Sequence, residues 1–156
     1  MPLRFNKLVR LGLEETRNVF LAENVIVAKA ASENMVFMSH TTGDIQAEQE
    51  ANYISKKHHL LVYMAEWDDD VQGDSNELPN HIMAAIRKSD GFLVNVVAEI
   101  AISMWIGYEI GGAHAMEKSR AKIMYRTIYK LPSVVGALAS LSNRDELDQW
   151  IRKHIR

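Results

Sequence analysis

The sequence contains no cysteine. That absence excludes disulfides, thiolate chemistry and a cysteine-built zinc site, and it fits a reducing compartment. No apolar run reaches the roughly 20 residues needed to cross a bilayer. The amino-terminal segment lacks a signal-peptide core, because Arg10 and Gly12 interrupt the stretch from Leu8 to Leu13. A cytoplasmic protein with no membrane partner is expected. An excess of one charge is missing as well: 18 basic residues face 20 acidic ones, for a formal net charge of -2. The basic pairs Lys56-Lys57 and Arg152-Lys153 are too short to track a phosphate backbone, so no nucleic-acid partner is expected. G-x-G-x-x-G, Walker and G-x-S-x-G motifs are also lacking. This disfavours a Rossmann or P-loop nucleotide site and a serine-hydrolase elbow. The six histidines include the adjacent pair His58-His59 and the isolated His114, which offer no shared ligand face, so no metal is expected.

What remains is 156 residues, 47% hydrophobic and 24% charged, enough for one domain with a full core. Residues 1–32 read as an amino-terminal helical extension, with Phe5, Leu8, Val9 and Leu13, then Phe20, Leu21 and Val25, near helical spacing. Residues 33–156 alternate strand and helix. Met35 to Met38, Leu60 to Met64 and Phe92 to Val97 are short apolar runs bounded by turn residues, as expected of strands buried on both faces. Ile123 to Tyr125 is a fourth expected strand. Helices are expected after Asp44, from about Leu78, from about Ser103 to Lys118, and from Ser142 or Asn143. This order predicts an α/β fold, a parallel sheet of four to five strands with helices on both faces. Ligands of such sheets bind outside the carboxyl ends of the strands.

That rule directs attention to three segments. Ser39, His40, Thr41 and Thr42 follow the first strand and offer hydroxyls near a helix start. The same residue types also make ordinary turns and caps. Trp67 follows the second strand in an acidic loop and is a candidate stacking platform. After the third strand, Trp105 and Glu109 stand four apart, on one face of a helix. Glu109 falls among Ile106, Ile110, Gly111, Gly112 and Ala113. A carboxylate in such a stretch is costly unless it is paired with a base or used. Both alternatives stand on the spacing alone.

Several pieces occur in a telling order: Val36-Phe-Met-Ser39-His40 with Asp44; Glu66-Trp67 with Gly73-Asp74-Ser75; Ser89-Asp90; Phe92-Leu-Val94; and Ser103-Met-Trp105 with Glu109. Over residues 35–125 this resembles a bacterial TIR (Toll/interleukin-1 receptor) domain. The resemblance implies a flavodoxin-like sheet. It implies an NAD glycohydrolase or cyclase that cleaves the nicotinamide–ribose bond, acting in antiphage defence or signalling. Glu109 would be the catalytic residue, and Ser39, His40, Thr41, Trp67 and Trp105 would bind substrate. NAD would be the substrate and no cofactor would be needed. Homo-oligomerisation through TIR–TIR contacts is also implied.

Ala65 stands where the family often has an acidic residue, and the first loop lacks the arginines of some members. Those departures motivate an alternative, a non-enzymatic TIR interaction or nucleotide-sensing module. The segment Glu109-Ile-Gly-Gly-Ala113 also resembles nucleoside deoxyribosyltransferases, though Ser103 stands where they carry an aspartate.

Overall fold

The computed structural model describes residues 34–41, 44–64, 78–96, 104–126 and 131–155. The expected extension at 1–32 and the loop with Trp67 lie outside the described residues. Five parallel strands form one sheet: β1 (Met35–Ser39), β2 (Leu61–Tyr63), β3 (Gly91–Asn95), β4 (Ser119–Ile123) and β5 (Ala139–Leu141). Their spatial order is β2-β1-β3-β4-β5. The described helices are α1 (Ile45–His58), α2 (Leu78–Lys88), α3 (Met104–Ala115), α4 (Ser133–Gly136) and α5 (Arg144–His154).

Two apolar layers cover the two faces of the sheet. On one, Val36, Met38, Leu93 and Ala121 pack against Ala47, Ala51 and Ile54 of α1 and Leu147, Trp150 and Ile151 of α5. On the other, Met35, Phe37, Phe92 and Val94 pack against Ile82 and Ile86 of α2 and Ile106 and Ile110 of α3. The alternation along each strand produces this division, since successive side chains point to opposite faces. Within the second layer Tyr63, Phe37 and Phe92 are register neighbours on β2, β1 and β3. Their rings stack at centroid distances of 5.0 Å and 5.3 Å. Such cross-strand pairs hold parallel strands in register.

Local signals end and start the elements. Asp44 caps α1 by accepting from the Ala47 amide at 3.1 Å. Asn143 caps α5, and Glu146 returns a bond to the Ser142 amide. Asp90 sits between α2 and β3 and binds the start of β1 twice, through its backbone N–H to the Met35 carbonyl and its carboxylate to the Met35 N–H. Helix α3 ends with Glu117 in the left-handed region, where the Lys118 amide reaches back to the Ala113 carbonyl.

One sequence expectation shifts. The fourth strand runs from Ser119 to Ile123, not from Ile123 to Tyr125. Polar Arg120 and Lys122 hide it from an apolar-run criterion. Lys122 is buried in β4 because its ammonium donates to the carbonyls of Gly136 and Leu138, at 3.1 Å and 2.6 Å. Burial lowers its pKa. The fifth strand, Ala139–Leu141, is three residues long and mostly exposed, so it carries little apolar signal.

Candidate active site at the carboxyl ends of β1 and β3

The chain order changes direction at the β1–β3 pair. β1 is followed by β2 on one side, and β3 by β4 on the other. That is the switch point at which open α/β sheets bind ligands. Ser39 is the last residue of β1 and pairs in register with Val94. Asn95 is the last residue of β3.

Glu109 lies in the middle of α3, 5% exposed, between buried Ile106 and Ile110. The Ser39 hydroxyl donates to its Oε1 at 2.6 Å. Among the described residues no lysine or arginine pairs with this carboxyl. Among those residues the partner of the carboxyl is the Ser39 hydroxyl. Its surroundings favour the neutral acid: burial pushes the pKa of Glu109 up to about 7, while the bond from Ser39 pulls it down. The result is a carboxyl that changes charge near neutral pH, as general acids, general bases and charge stabilisers in active sites do.

This shift links to stability. A glutamate ordinarily titrates near 4.5, and here near 7. Between those values the folded chain holds a proton that the unfolded chain has lost. Stability from Glu109 is therefore fully present below pH 4.5, declines as the pH rises, and is gone above about pH 7. The difference is of order 3 kcal/mol. Glu109→Gln removes the titration, so its denaturant midpoint at pH 8 should exceed that of the wild type, with the difference vanishing near pH 4. Ser39→Ala removes the bond that favours the charged form. The upper edge of the pH-sensitive window should then move to higher pH, as seen in unfolding curves taken from pH 5 to 9.

The other sequence candidates fall in different places. His40 and Thr41 directly follow Ser39; His40 is half-buried, Thr41 is exposed, and the His40 Nδ1 lies 2.8 Å from the Thr41 carbonyl. Trp105 is one turn before Glu109 but 41% exposed, with its ring edge-on to Tyr108 at 5.7 Å. The structure thus joins Ser39 to Glu109 and leaves Trp105 at the surface. The glycines of α3 also differ from one another. A side chain at Gly112 would meet the Met83 Sδ and Cε at 2.6 Å, so Gly112 allows close packing of α3 on α2. A side chain begun at Gly107 or Gly111 would meet no described residue within 4 Å beyond the helix's own backbone.

Sequence reasoning passed over Asn95, which is 1% exposed and donates from Nδ2 to the Asp44 Oδ2 at 2.8 Å. The available signal was a lone amide inside the apolar run from Phe92 to Val97. One open cleft of the described surface, of about 590 Å³ and lined by Asn52, Tyr53, Lys56, Lys57 and Arg144, lies away from Glu109. The chemical character of the carboxyl, and its place at the switch point, weigh more here than the size of a remote hollow.

The structure aligns with the crystal structure of the TIR domain of the Toll-related receptor TRR-2 from Hydra magnipapillata. The TM-score is 0.54, with 14% sequence identity, covering 76% of this chain and 92% of that one. The chain has the fold of a TIR domain. The strand order of the TIR-like sheet described above is thereby accounted for, although the two sequences share few residues. No protein-family model matches the sequence, and no curated protein matches it. Among the described residues no helix of this TIR fold is long and apolar enough to cross a membrane.

Proposed function

We propose that this TIR-fold chain cleaves the nicotinamide–ribose bond of NAD, with Glu109 as the catalytic residue. The observation that carries the reading is the buried Glu109 carboxyl, held by Ser39 beside the switch point and titrating near 7. In its ionised form Glu109 accepts hydrogen bonds from the ribose hydroxyls. It stabilises the positive charge that develops on the ribosyl carbon as the C–N bond breaks. The bonding electron pair leaves with nicotinamide. Water then adds to the ribosyl carbon and releases a proton, giving ADP-ribose; attack by a ring nitrogen of the same molecule gives a cyclic product instead. His40 and Thr41 line the ribose side, Trp105 helps shape the ribose pocket, and Trp67 is the candidate platform for an aromatic ring. No cofactor is consumed. In this reading the chain acts in the cytoplasm, in defence against phage or in signalling, and assembles through TIR–TIR contacts.

The second reading is an interaction module without catalysis. The exposed pair Trp105 and Tyr108, 41% and 40% accessible on α3, favours it, because aromatic side chains on a helix surface are common anchors of protein contacts. Chromatographic measurement of nicotinamide released from NAD at high protein concentration separates the two. Release by the wild type and none by Glu109→Gln supports cleavage. Absence of release in every assembled state supports the module. Base exchange on a deoxynucleoside with NAD untouched would assign Glu109 to deoxyribosyl transfer.

A further inference from the structure

The described part of the chain carries a second polar contact at the switch point, on the opposite face of the sheet from Glu109. Ser39 lies in register with Val94, whose side chain belongs to the layer under α3. Asn95 follows Val94, so it points to the layer under α1. There its Nδ2 donates to the Asp44 Oδ2 at 2.8 Å. Asp44 is the junction between the outgoing loop of β1 and the first turn of α1. Its Oδ1 accepts from the Ala47 N–H, its carbonyl accepts from the Glu48 N–H, and its own N–H donates to the Thr41 carbonyl.

Asn95 is an expensive residue for that position. It is 1% exposed, and among the described residues its Oδ1 has no hydrogen-bond partner. The amide cannot be turned round to relieve this, because a carboxylate only accepts and the nitrogen must therefore face Asp44. A buried acceptor without a partner costs stability that an apolar side chain would not cost. What the residue supplies in return is a fixed distance between the end of β3 and the start of α1.

We propose that Asn95 is a positioning residue: through Asp44 it sets where the loop leaving β1 stands, and so where His40 and Thr41 stand beside the Ser39–Glu109 pair. The loop is gripped from two sides. Ser39 ties its start to α3, at 2.6 Å, and Asn95 ties its end to β3, at 2.8 Å. The kinetic consequence rests on the NAD-cleaving reading; the mechanical one does not. Loosening the loop disturbs the groups that meet substrate, His40 and Thr41, and leaves the Glu109 carboxyl in place, so binding suffers more than the chemical step.

Two variants of the full chain test this from opposite ends. Asn95→Ala removes the donor. Asp44→Ser keeps a competent helix cap but removes the second carboxylate oxygen, which is the acceptor for Asn95. Each should raise KM for NAD about tenfold and keep kcat within about twofold, the signature of lost binding. Each should also speed hydrogen exchange at the Asp44 amide about tenfold. The double variant should be no worse than either single one, since both break the same bond. A merely structural Asn95 would reduce the amount of active protein and leave KM unchanged. Unchanged exchange at Asp44 in Asn95→Ala, or additive effects in the double variant, would overturn the proposal. Should the wild type release no nicotinamide, the proposed activity fails, while the exchange measurements still decide the role of Asn95. If Asn95→Ala does not fold, Asp44→Ser decides alone.

Discussion

Glu109→Gln should lower the rate of nicotinamide release from NAD by about 10²- to 10³-fold, a loss typical of removing one electrostatic stabiliser from a transition state. The substitution is nearly isosteric and keeps a hydrogen-bonding partner for Ser39. Its effect on the fold should therefore be small, and above pH 7 favourable, because the buried charge is gone. Activity lost while stability is gained is hard to ascribe to misfolding. The pH profile supplies an independent check. A carboxyl that stabilises a developing cation must be ionised, and Glu109 titrates near 7. Wild-type activity should rise through that pH and level off above it. An activity that peaks near pH 5 would mean that the neutral acid is the working form, and the role assigned to Glu109 would be wrong. Equal turnover by the wild type and Glu109→Gln would remove Glu109 from catalysis altogether.

Phe37→Ala should destabilise the fold by about 3–5 kcal/mol, the range for truncating a fully buried aromatic side chain. Phe37 has no exposed surface, and it stacks between Tyr63 and Phe92, so its removal opens a void shared by three strands. Relaxation is restricted, because β1 is paired with β2 on one side and β3 on the other. In a domain of this size the loss corresponds to a melting temperature lower by about 10 °C or more. Thermal unfolding followed by circular dichroism measures it. A drop below about 3 °C would show that the aromatic row is not the keel of the sheet. The variant also bears on the site. Phe37 lies two residues before Ser39 on the same face of β1. Any NAD-cleaving activity left in the folded fraction should therefore show a weakened Ser39–Glu109 bond, seen as an activity profile displaced to higher pH.

The sheet was legible where strands are buried on both faces. Met35 to Met38 and Phe92 to Val94 are continuous apolar runs, and each forms a strand within a residue or two of its expected bounds. Helices α1 and α5 were legible from Asp44 and Asn143, which cap them as a short acceptor side chain should. The fourth strand was misplaced because Lys122 carries its charge to the carbonyls of Gly136 and Leu138. Those groups lie more than a dozen residues away in sequence and have no local signature. The short, exposed fifth strand is held by pairing with β4 rather than by its own composition.

Glu109 itself was visible in the sequence as a carboxyl in an apolar stretch, and the spacing left two explanations open. Local order determined that the chain alternates strand and helix, that α3 follows β3, and that Glu109 sits in it. These depend on periodicity and capping within a few residues. The partner of Glu109 depended on a contact across 70 residues, between the end of β1 and the middle of α3. Only the packed sheet brings the Ser39 hydroxyl to this carboxyl, because burial and distance decide the contact and neither is a property of the segment alone. The same holds for Asn95 and Asp44, 51 residues apart. Their side chains meet because β1 and β3 are neighbours, and strand order is set by how both faces of the sheet become covered.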